Sequence, residues 1–514
     1  MIHLPHPRPI HAGAPLSRTC AALLLALACL AGVSAADTDG WHQFQKDALN
    51  TGITPDAAPR TDPELVWSMH TAGIDVPMII AGDLVYVYDA NGTIRAFDKR
   101  NGDLVWRNET SSWMLQSSTP AYGNGKIFVA ERNGDLYAFD AATGDRLWKA
   151  HVTDYALACP VTYYDHRIYV GESYCEAPCR YFCYDENGTM VWSSSAATAG
   201  AFEWCGAAVA GDYIICPGSS GHLISLFREN GTKRDDINLA DNCSVSFARP
   251  DPGRIRASVS YHDGYVYVTS EDSPTVGYVW KVGFEDGRFV DSGWSTEIGF
   301  STSTPVIHDG RVYVGQGEHG YSGNLTCLND STGTIVWSYP VPAGVKSSPA
   351  ISTGDDGVYI YFTTAMGNGS LYCLHEDGTL AWEYNPPDDG YILQGAAISD
   401  GLVYFGTNCG YVYCIGRRGD LNHDGAVTAE DAVIALEMAV GAVPAVGVGD
   451  VNRDGAVTSL DALMMLQENV LKTRPIGISN CSSMMRMRHA SPYSNGGTVS
   501  CNFSSYQHIA DRSM

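Results

Sequence analysis

Basic charge is scarce in this chain: 32 Lys and Arg stand against 57 Asp and Glu, a formal net charge of −25. A phosphate backbone is held by a basic face, so nucleic acid is excluded as a partner, and a solvated acidic surface is expected. Long apolar runs are lacking too. The apolar stretch Ala21–Leu30 is shorter than a bilayer span. Arg8 and Arg18 precede it and Val33-Ser34-Ala35-Ala36 follow, the pattern of a secretory leader over residues 1–36. Cys29 lies inside that stretch without lipobox residues before it, so lipidation is not expected. The mature chain is expected to be exported, with no membrane span. Paired Cys-x2-Cys spacings with nearby His are also missing, which removes the usual zinc site.

Two acidic loops near the C-terminus carry the sharpest chemistry. They read Asp420-Leu421-Asn422-His423-Asp424-Gly425 and Asp450-Val451-Asn452-Arg453-Asp454-Gly455, and each runs through Ala-Val-Thr to an Asp at position 12, Asp431 and Asp461. A hard cation takes six to eight oxygens from a short, sharply turned loop. Side-chain oxygens fall at positions 1, 3, 5 and 12. Backbone carbonyls of Ala426 and Ala456 fall at position 7, and Thr428 and Thr458 at position 9 can hold a bridging water. Two calcium ions are expected. The bland alternative, a pair of Asx-rich turns, does not account for the repeated Asp-x-Asn-x-Asp-Gly-Ala-Val-Thr. Each loop leads into a helical pattern, with Ala432, Val433, Leu436 and Val440 on one stripe and Ala462, Leu463, Leu466 and Val470 on the other. No helix has room to enter the first loop, because Cys414-Ile415-Gly416-Arg417-Arg418 runs straight into it.

This duplicated EF-hand-like loop-helix unit, residues 419–472, resembles a type I dockerin. The resemblance implies a small all-α calcium-binding module that docks onto a cohesin of a scaffold or surface protein. Recognition in that family involves loop positions 10 and 11, here Ala429 and Glu430, then Ser459 and Leu460. The two pairs differ, which argues against a symmetric dual binding mode. After Lys472 the chain is polar and aperiodic, and residues 473–514 are expected to be a disordered tail.

Between Trp41 and Gly416 the chain repeats itself. Pro120-Ala-Tyr-Gly-Asn-Gly-Lys-Ile-Phe-Val, Pro305-Val-Ile-His-Asp-Gly-Arg-Val-Tyr-Val and Ala396-Ala-Ile-Ser-Asp-Gly-Leu-Val-Tyr-Phe are each a short strand, a Gly turn and a second strand. A third strand such as Asp135–Asp140 follows, then a Gly turn and a fourth strand with Trp. The Gly-to-Trp spacing is the same in Gly102/Trp106, Gly144/Trp148, Gly188/Trp192, Gly333/Trp337 and Gly378/Trp382. Four strands per unit predicts an all-β propeller over residues 40–416. Seven whole units start near Pro77, Pro120, Pro160, Gly206, Ser258, Pro305 and Pro349. An eighth, from Gly395, lacks its fourth strand, which Glu64–Met69 supplies. Eight blades are expected, with seven as the alternative. Two units depart from the pattern: Asp235 takes the Trp position in the fourth, and Trp294 is displaced in the fifth. The Trp residues are expected to pack between blades rather than to stack on a cofactor.

The segment Ala138-Phe-Asp140-Ala-Ala-Thr-Gly144-Asp-Arg-Leu-Trp148 resembles the PQQ-type repeat of quinoprotein alcohol dehydrogenases and of outer-membrane assembly propellers. Trp41-His-Gln-Phe-Gln-Lys-Asp-Ala-Leu-Asn-Thr-Gly52 resembles the start of such domains. The quinoprotein enzymes carry an adjacent Cys-Cys disulfide and a calcium-ligand set that are not found here, so PQQ is not expected. No other catalytic signature stands out: Glu318-His319 reads as a solvated turn, and nothing pairs Glu172 with Glu203. Four cysteines, Cys183, Cys327, Cys373 and Cys414, share the repeat position held by Ala96 and Ala138 and read as small buried hydrophobes. Cys175 and Cys179 read as a local disulfide, with a metal site as the alternative.

Together these features are read as an exported binding or display protein, secreted or held at the cell surface through its dockerin. The propeller would be the recognition module for a glycan or protein ligand, in the polysaccharide-related, cellulosome-like setting that the dockerin resemblance implies. The alternatives are a carbohydrate-active propeller enzyme, a PQQ-dependent dehydrogenase, or an envelope protein-assembly scaffold.

Overall fold

The computed structural model describes residues 40–472, apart from 111–117, 176–177, 196–197, 240–252, 274 and 355–356. The expected leader and the polar tail lie outside the described residues.

Strand formation follows the repeat. In the second unit a short strand, Ala121–Gly123, turns through Asn124 and Gly125, both at positive φ, into Lys126–Ala130. That turn chemistry suits a two-residue hairpin. Asp135–Asp140 and Arg146–His151 complete an antiparallel sheet. Eight sheets form, seven of four strands and one, in the seventh blade, with Ile53–Thr54 added in parallel as a fifth, so the chain is an eight-bladed propeller rather than a seven-bladed one. The second and third strands of each blade are buried and rich in Val, Ile, Tyr and Phe. The fourth strands, such as Leu104–Glu109, alternate between buried and exposed, as expected of outer edges.

The ring closes with both ends of the propeller in one blade. Pro63–His70 pairs antiparallel with Tyr411–Arg417 and sets Trp67 opposite Cys414. Closure of this kind covers the outer edge of Tyr411–Arg417 and gives the last blade the same four-strand set as the others.

Neighbouring blades are tied by one recurring contact. The indole Nε1 of Trp67, Trp106, Trp148, Trp192, Trp294 and Trp337 donates to a carbonyl in the next blade's outer turn: Lys99, Ala141, Glu186, Arg228, Asp330 and Glu376, at 2.6–3.0 Å. The ring of each lies against the glycine of that turn. A Cβ on Gly102, Gly144, Gly188, Gly231, Gly333 or Gly378 would meet indole carbons at 2.5–2.8 Å. The glycine of the repeat therefore serves the Trp of the preceding blade, not its own. Trp294, which reads as displaced, pairs with Lys281 at the standard register position; longer third and fourth strands, with a bulge between Val290 and Gly293, move it in sequence only. Asp235 does replace Trp, and its carboxylate accepts the Phe289 N–H of the next blade at 2.9 Å. In the seventh blade the carbonyl acceptor comes from outside the repeat: Trp382 donates to Pro59 O at 2.9 Å.

The opening segment lines the inside of the ring. Strands nearest the axis leave one row of N–H groups unpaired, and residues 41–52 take up six of them. Trp41 O, His42 O, the Gln43 side chain, Ala48 O, Leu49 O and Gly52 O accept from Ile80, Tyr122, Tyr163, Val209, Tyr261 and Ile351 at 2.7–3.0 Å. Asn50 donates to Ala207 O and Val259 O. The strap crosses the channel near the first-to-second-strand turns and leaves the opposite end to the longer loops.

The C-terminal module holds two helices, α1 (Ala429–Ala439) and α2 (Ser459–Lys472). Its core is Leu421, Val427, Ala432, Ala435, Val448, Ala462 and Met465, with Val66 of the propeller packed against it. The apolar stripes are only partly buried. Ala432 and Ala462 are inside, whereas Val433, Leu436, Val440, Leu463 and Leu466 are exposed. The buried side of the helices is made by Ala432, Ala435, Ala462 and Met465, with Ile434 and Met438 packed against them. The side chain of Val470 lies outside the description.

Candidate functional site

The two acidic loops share one backbone path. His423 and Arg453 at position 4 both have φ 60°, and Gly425 and Gly455 at position 6 have φ 85° and 94°, a region that glycine enters without cost. Position 1 folds back over the turn: Asp420 accepts from Asp424 N and Gly425 N at 3.2 and 2.9 Å, and Asp450 accepts from Asp454 N and Gly455 N at 3.1 and 2.7 Å. Position 12 reaches back to the loop start. Asp431 accepts from Leu421 N and Asn422 N, and Asp461 from Asn452 N. Thr428 caps α1 and, with Asp431, forms a capping box; Thr458 and Asp461 repeat the bond at the start of α2.

Asp420, Asp431 and Asp461 are fully buried. Burial and then the charge of Asp431 push the Asp420 carboxyl up to about 7. Among the described residues no three acidic, His or Cys side chains close on one point as in a finished metal site; the carboxylates are spread along backbone amides instead. The donor set nevertheless fits a hard cation. Asp420, Asn422, Asp424, the Ala426 carbonyl, Thr428 and Asp431 would hold one calcium, and Asp450, Asn452, Asp454, the Ala456 carbonyl, Thr458 and Asp461 the second. The ion would supply the positive charge that a buried carboxylate lacks here. Ala429, Glu430, Ser459 and Leu460 are all exposed on the first turns of the helices. Ala429, Val433, Leu436 and Val440 follow one helical face, and Leu460, Leu463 and Leu466 extend the exposed apolar surface of α2.

At the open end of the channel the acids have structural partners. Asp89, Glu131 and Glu172 end the second strands of the first three blades and are buried. Asp89 pairs with Arg95 and accepts Asn91 N and Thr93 N. Glu131 accepts from Tyr88, and Glu172 from Thr153, Arg180 N and the Arg180 guanidinium. Glu203 faces Arg256 at 3.9 Å, away from any pairing with Glu172. Glu318 pairs with Lys346, and His319 stands edge-on to Tyr391. A polar cleft of about 490 Å³ between the fourth, fifth and sixth blades is lined by Arg254, Arg256, Glu271, Phe300 and Glu318 among others. Asp75 Oδ1 and Glu271 Oε2 are buried without hydrogen-bond partners among the described residues.

Cysteine roles divide in two. Cys175 and Cys179 form the local disulfide. Cys183, Cys327, Cys373 and Cys414 are buried on third strands beside the Trp positions, and burial pushes Cys183 and Cys327 up to about 12. Cys159 and Cys205 share a repeat position three residues before the first strand, where the thiols donate to Gly171 O and Pro217 O. Cys159 Sγ accepts from Gly171 N at 3.1 Å, where Ser303 and Ser347 accept from Gly315 N and Thr363 N in later blades. The repeat position −3 from the first strand carried that signal.

The fold defines a protein class, the eight-bladed propeller of PQQ-like repeats. Three overlapping stretches, residues 57–152, 90–278 and 262–453, match a family model described as outer membrane protein assembly factor BamB, and the chain belongs to that family. BamB of Moranella endobia (strain PCIT) is 27% identical over 195 residues, covering 36% of this chain and 45% of that relative. The chain spans less than half the length of the curated relatives it matches. Among solved structures, BamB from Moraxella catarrhalis superposes with a TM-score of 0.55 at 16% identity, over 69% of this chain and 99% of that one. The quinohemoprotein alcohol dehydrogenase of Comamonas testosteroni gives 0.60 at 13%, over 74% and 81%. These two likenesses concern the fold.

Proposed function

We propose that this protein is an exported, envelope-associated binding scaffold whose propeller takes part in protein assembly. The observation that carries this reading is membership of the BamB family across residues 57–453. It is supported by the use of the channel-mouth acids as loop ties and by a strap across the channel. Deleting the gene should lower the amount of folded outer-membrane proteins in the envelope fraction of the source organism. Unchanged levels would overturn the reading.

A second reading is favoured by the paired loops, whose hydrogen bonding repeats almost bond for bond. In this reading residues 419–472 are a dockerin-type module that binds two calcium ions and docks onto a cohesin. Ala429, Glu430, Ser459 and Leu460 would form the contact, together with the exposed Val433, Leu436, Leu463 and Leu466. An exposed apolar surface of this kind marks a partner-binding face. Purified type I cohesins titrated with the full-length protein should bind in calcium and not in EDTA. Binding that ignores EDTA, or its complete absence across the cohesins tried, counts against it.

A further inference from the structure

The first acidic loop packs on the propeller through its own backbone, whereas the second meets it only through the Arg453 side chain and through Gly447–Gly449 just before it, beside the closing strand. Loop positions 4 and 6 make the junction. A Cβ on Gly401, in the first turn of the eighth blade, would run into His423 O, and one on Gly425 would run into Ala57. Arg417 donates to Gly425 O at 3.1 Å. In the second loop a Cβ on Gly455 would meet nothing within 4 Å. There Arg453 reaches Glu64 only at 3.5 Å and is itself exposed.

The place of this junction gives it a role. In the other seven blades the third and fourth strands are joined by a covalent turn. In the eighth they come from opposite ends of the domain, Tyr411–Arg417 and Pro63–His70, and only non-covalent contacts hold them. Separating such strands releases chain entropy that a short turn would withhold. The first loop touches both parties: Ala57 just before the N-terminal strand, and Gly401 and Arg417 of the C-terminal hairpin. Arg418 pairs with Glu64 on the N-terminal strand, Arg418 N donates to Asp62 O, and Val66 enters the module's core.

We propose that calcium held by the first loop, Asp420 to Asp431, clasps the eighth blade shut, so that closure of the propeller ring is linked to calcium, while the second loop has no such effect. This rests on the calcium reading above. The ligand oxygens sit at positions 1, 3, 5, 7 and 12 and the propeller contacts at 4 and 6 of the same loop. An ion that fixes the former fixes the latter.

The test uses the full-length protein. Amide exchange is measured over 63–70 and 411–417 in calcium and in EDTA, with the third-blade strand Arg180–Asp185 as an internal reference. Calcium stoichiometry is measured alongside by calorimetry. Asp424→Asn and Asp454→Asn are a matched pair, both exposed and both bonded to the amide two residues on. EDTA should speed exchange of 63–70 and 411–417, by up to about 100-fold relative to calcium at 100 times its Kd, and leave 180–185 unchanged. D424N in calcium should reproduce the effect, and D454N should not. Two ions bound with closing-strand exchange indifferent to EDTA overturns the clasp alone. Equal effects of D424N and D454N also overturn it. No calcium bound at all removes the calcium reading and the clasp together.

Discussion

The ring of Trp106 lies on Gly144 of the following blade, and its Nε1 donates to Ala141 O at 2.9 Å. The pair joins two sheets by apolar contact and by a hydrogen bond to a turn carbonyl that also accepts from Tyr86 Oη at 3.1 Å. Gly144 takes φ 76° and has no room for a side chain. Gly144→Ala should therefore cost about 2–4 kcal/mol, combining positive φ with overpacking. Trp106→Phe should cost about 1 kcal/mol for the lost bond, and Trp106→Ala about 3–5 kcal/mol. Urea midpoints measure all three. A Gly144→Ala protein as stable as the parent would remove the inter-blade role given to this glycine.

Asp75 provides a pH test. Burial raises its carboxyl from 3.8 to about 6, and its Oδ1 has no hydrogen-bond partner among the described residues. A raised acid favours the native state fully below the unfolded pKa, and that contribution is lost as pH rises through the folded value. Stability should therefore fall between about pH 4 and pH 6, by roughly 2–3 kcal/mol at 1.36 kcal/mol per unit. Asp75→Asn should flatten this part of the curve and be the more stable protein at pH 7. Thermal melts from pH 3.5 to 7.5 decide it; an Asn variant that follows the parental slope contradicts the assignment.

Calcium removal should unfold the C-terminal module. Circular dichroism should lose a helical component in EDTA that matches α1 and α2. Asp420→Ala with Asp450→Ala should lose it even in calcium, since structural metal sites are coupled to folding. A spectrum that stays helical in EDTA counts against the two-ion reading.

The cysteines should separate by position. Cys159 occupies a site where Ser303 and Ser347 make the same backbone bond, so Cys159→Ser should change stability by less than about 1 kcal/mol. Cys183 lies in the same apolar cluster, but its thiol reaches only Tyr184 O at 3.9 Å, so Cys183→Ser should cost about 1–3 kcal/mol for a poorly bonded buried hydroxyl. Denaturation of both variants under reducing conditions measures the difference.

Much of this was legible in the chain because it repeats. Turn glycines, alternating strands and, in five units, Trp at a fixed offset are local signals, and their recurrence defines the blades. The strand Glu64–Met69 announced the closing blade because the last unit visibly lacked its fourth strand. The shared backbone path of the two acidic loops was legible too, since Asp-x-Asn-x-Asp-Gly is written twice in the chain. Long-range packing was not. Which blade's Trp a glycine serves depends on the neighbouring sheet. That residues 41–52 cross the channel follows from unpaired N–H groups belonging to six other parts of the chain. Helical periodicity placed Leu436 and Leu463 on an apolar stripe, but only the contact between Ala435 and its surroundings decided which side faced inward. Local sequence sets turns, strands and the hydrogen-bonded path of the acidic loops, because those depend on residues a few positions apart. The tertiary structure alone set the seam and the module docked on it, because those depend on surfaces that meet only after the ring has closed.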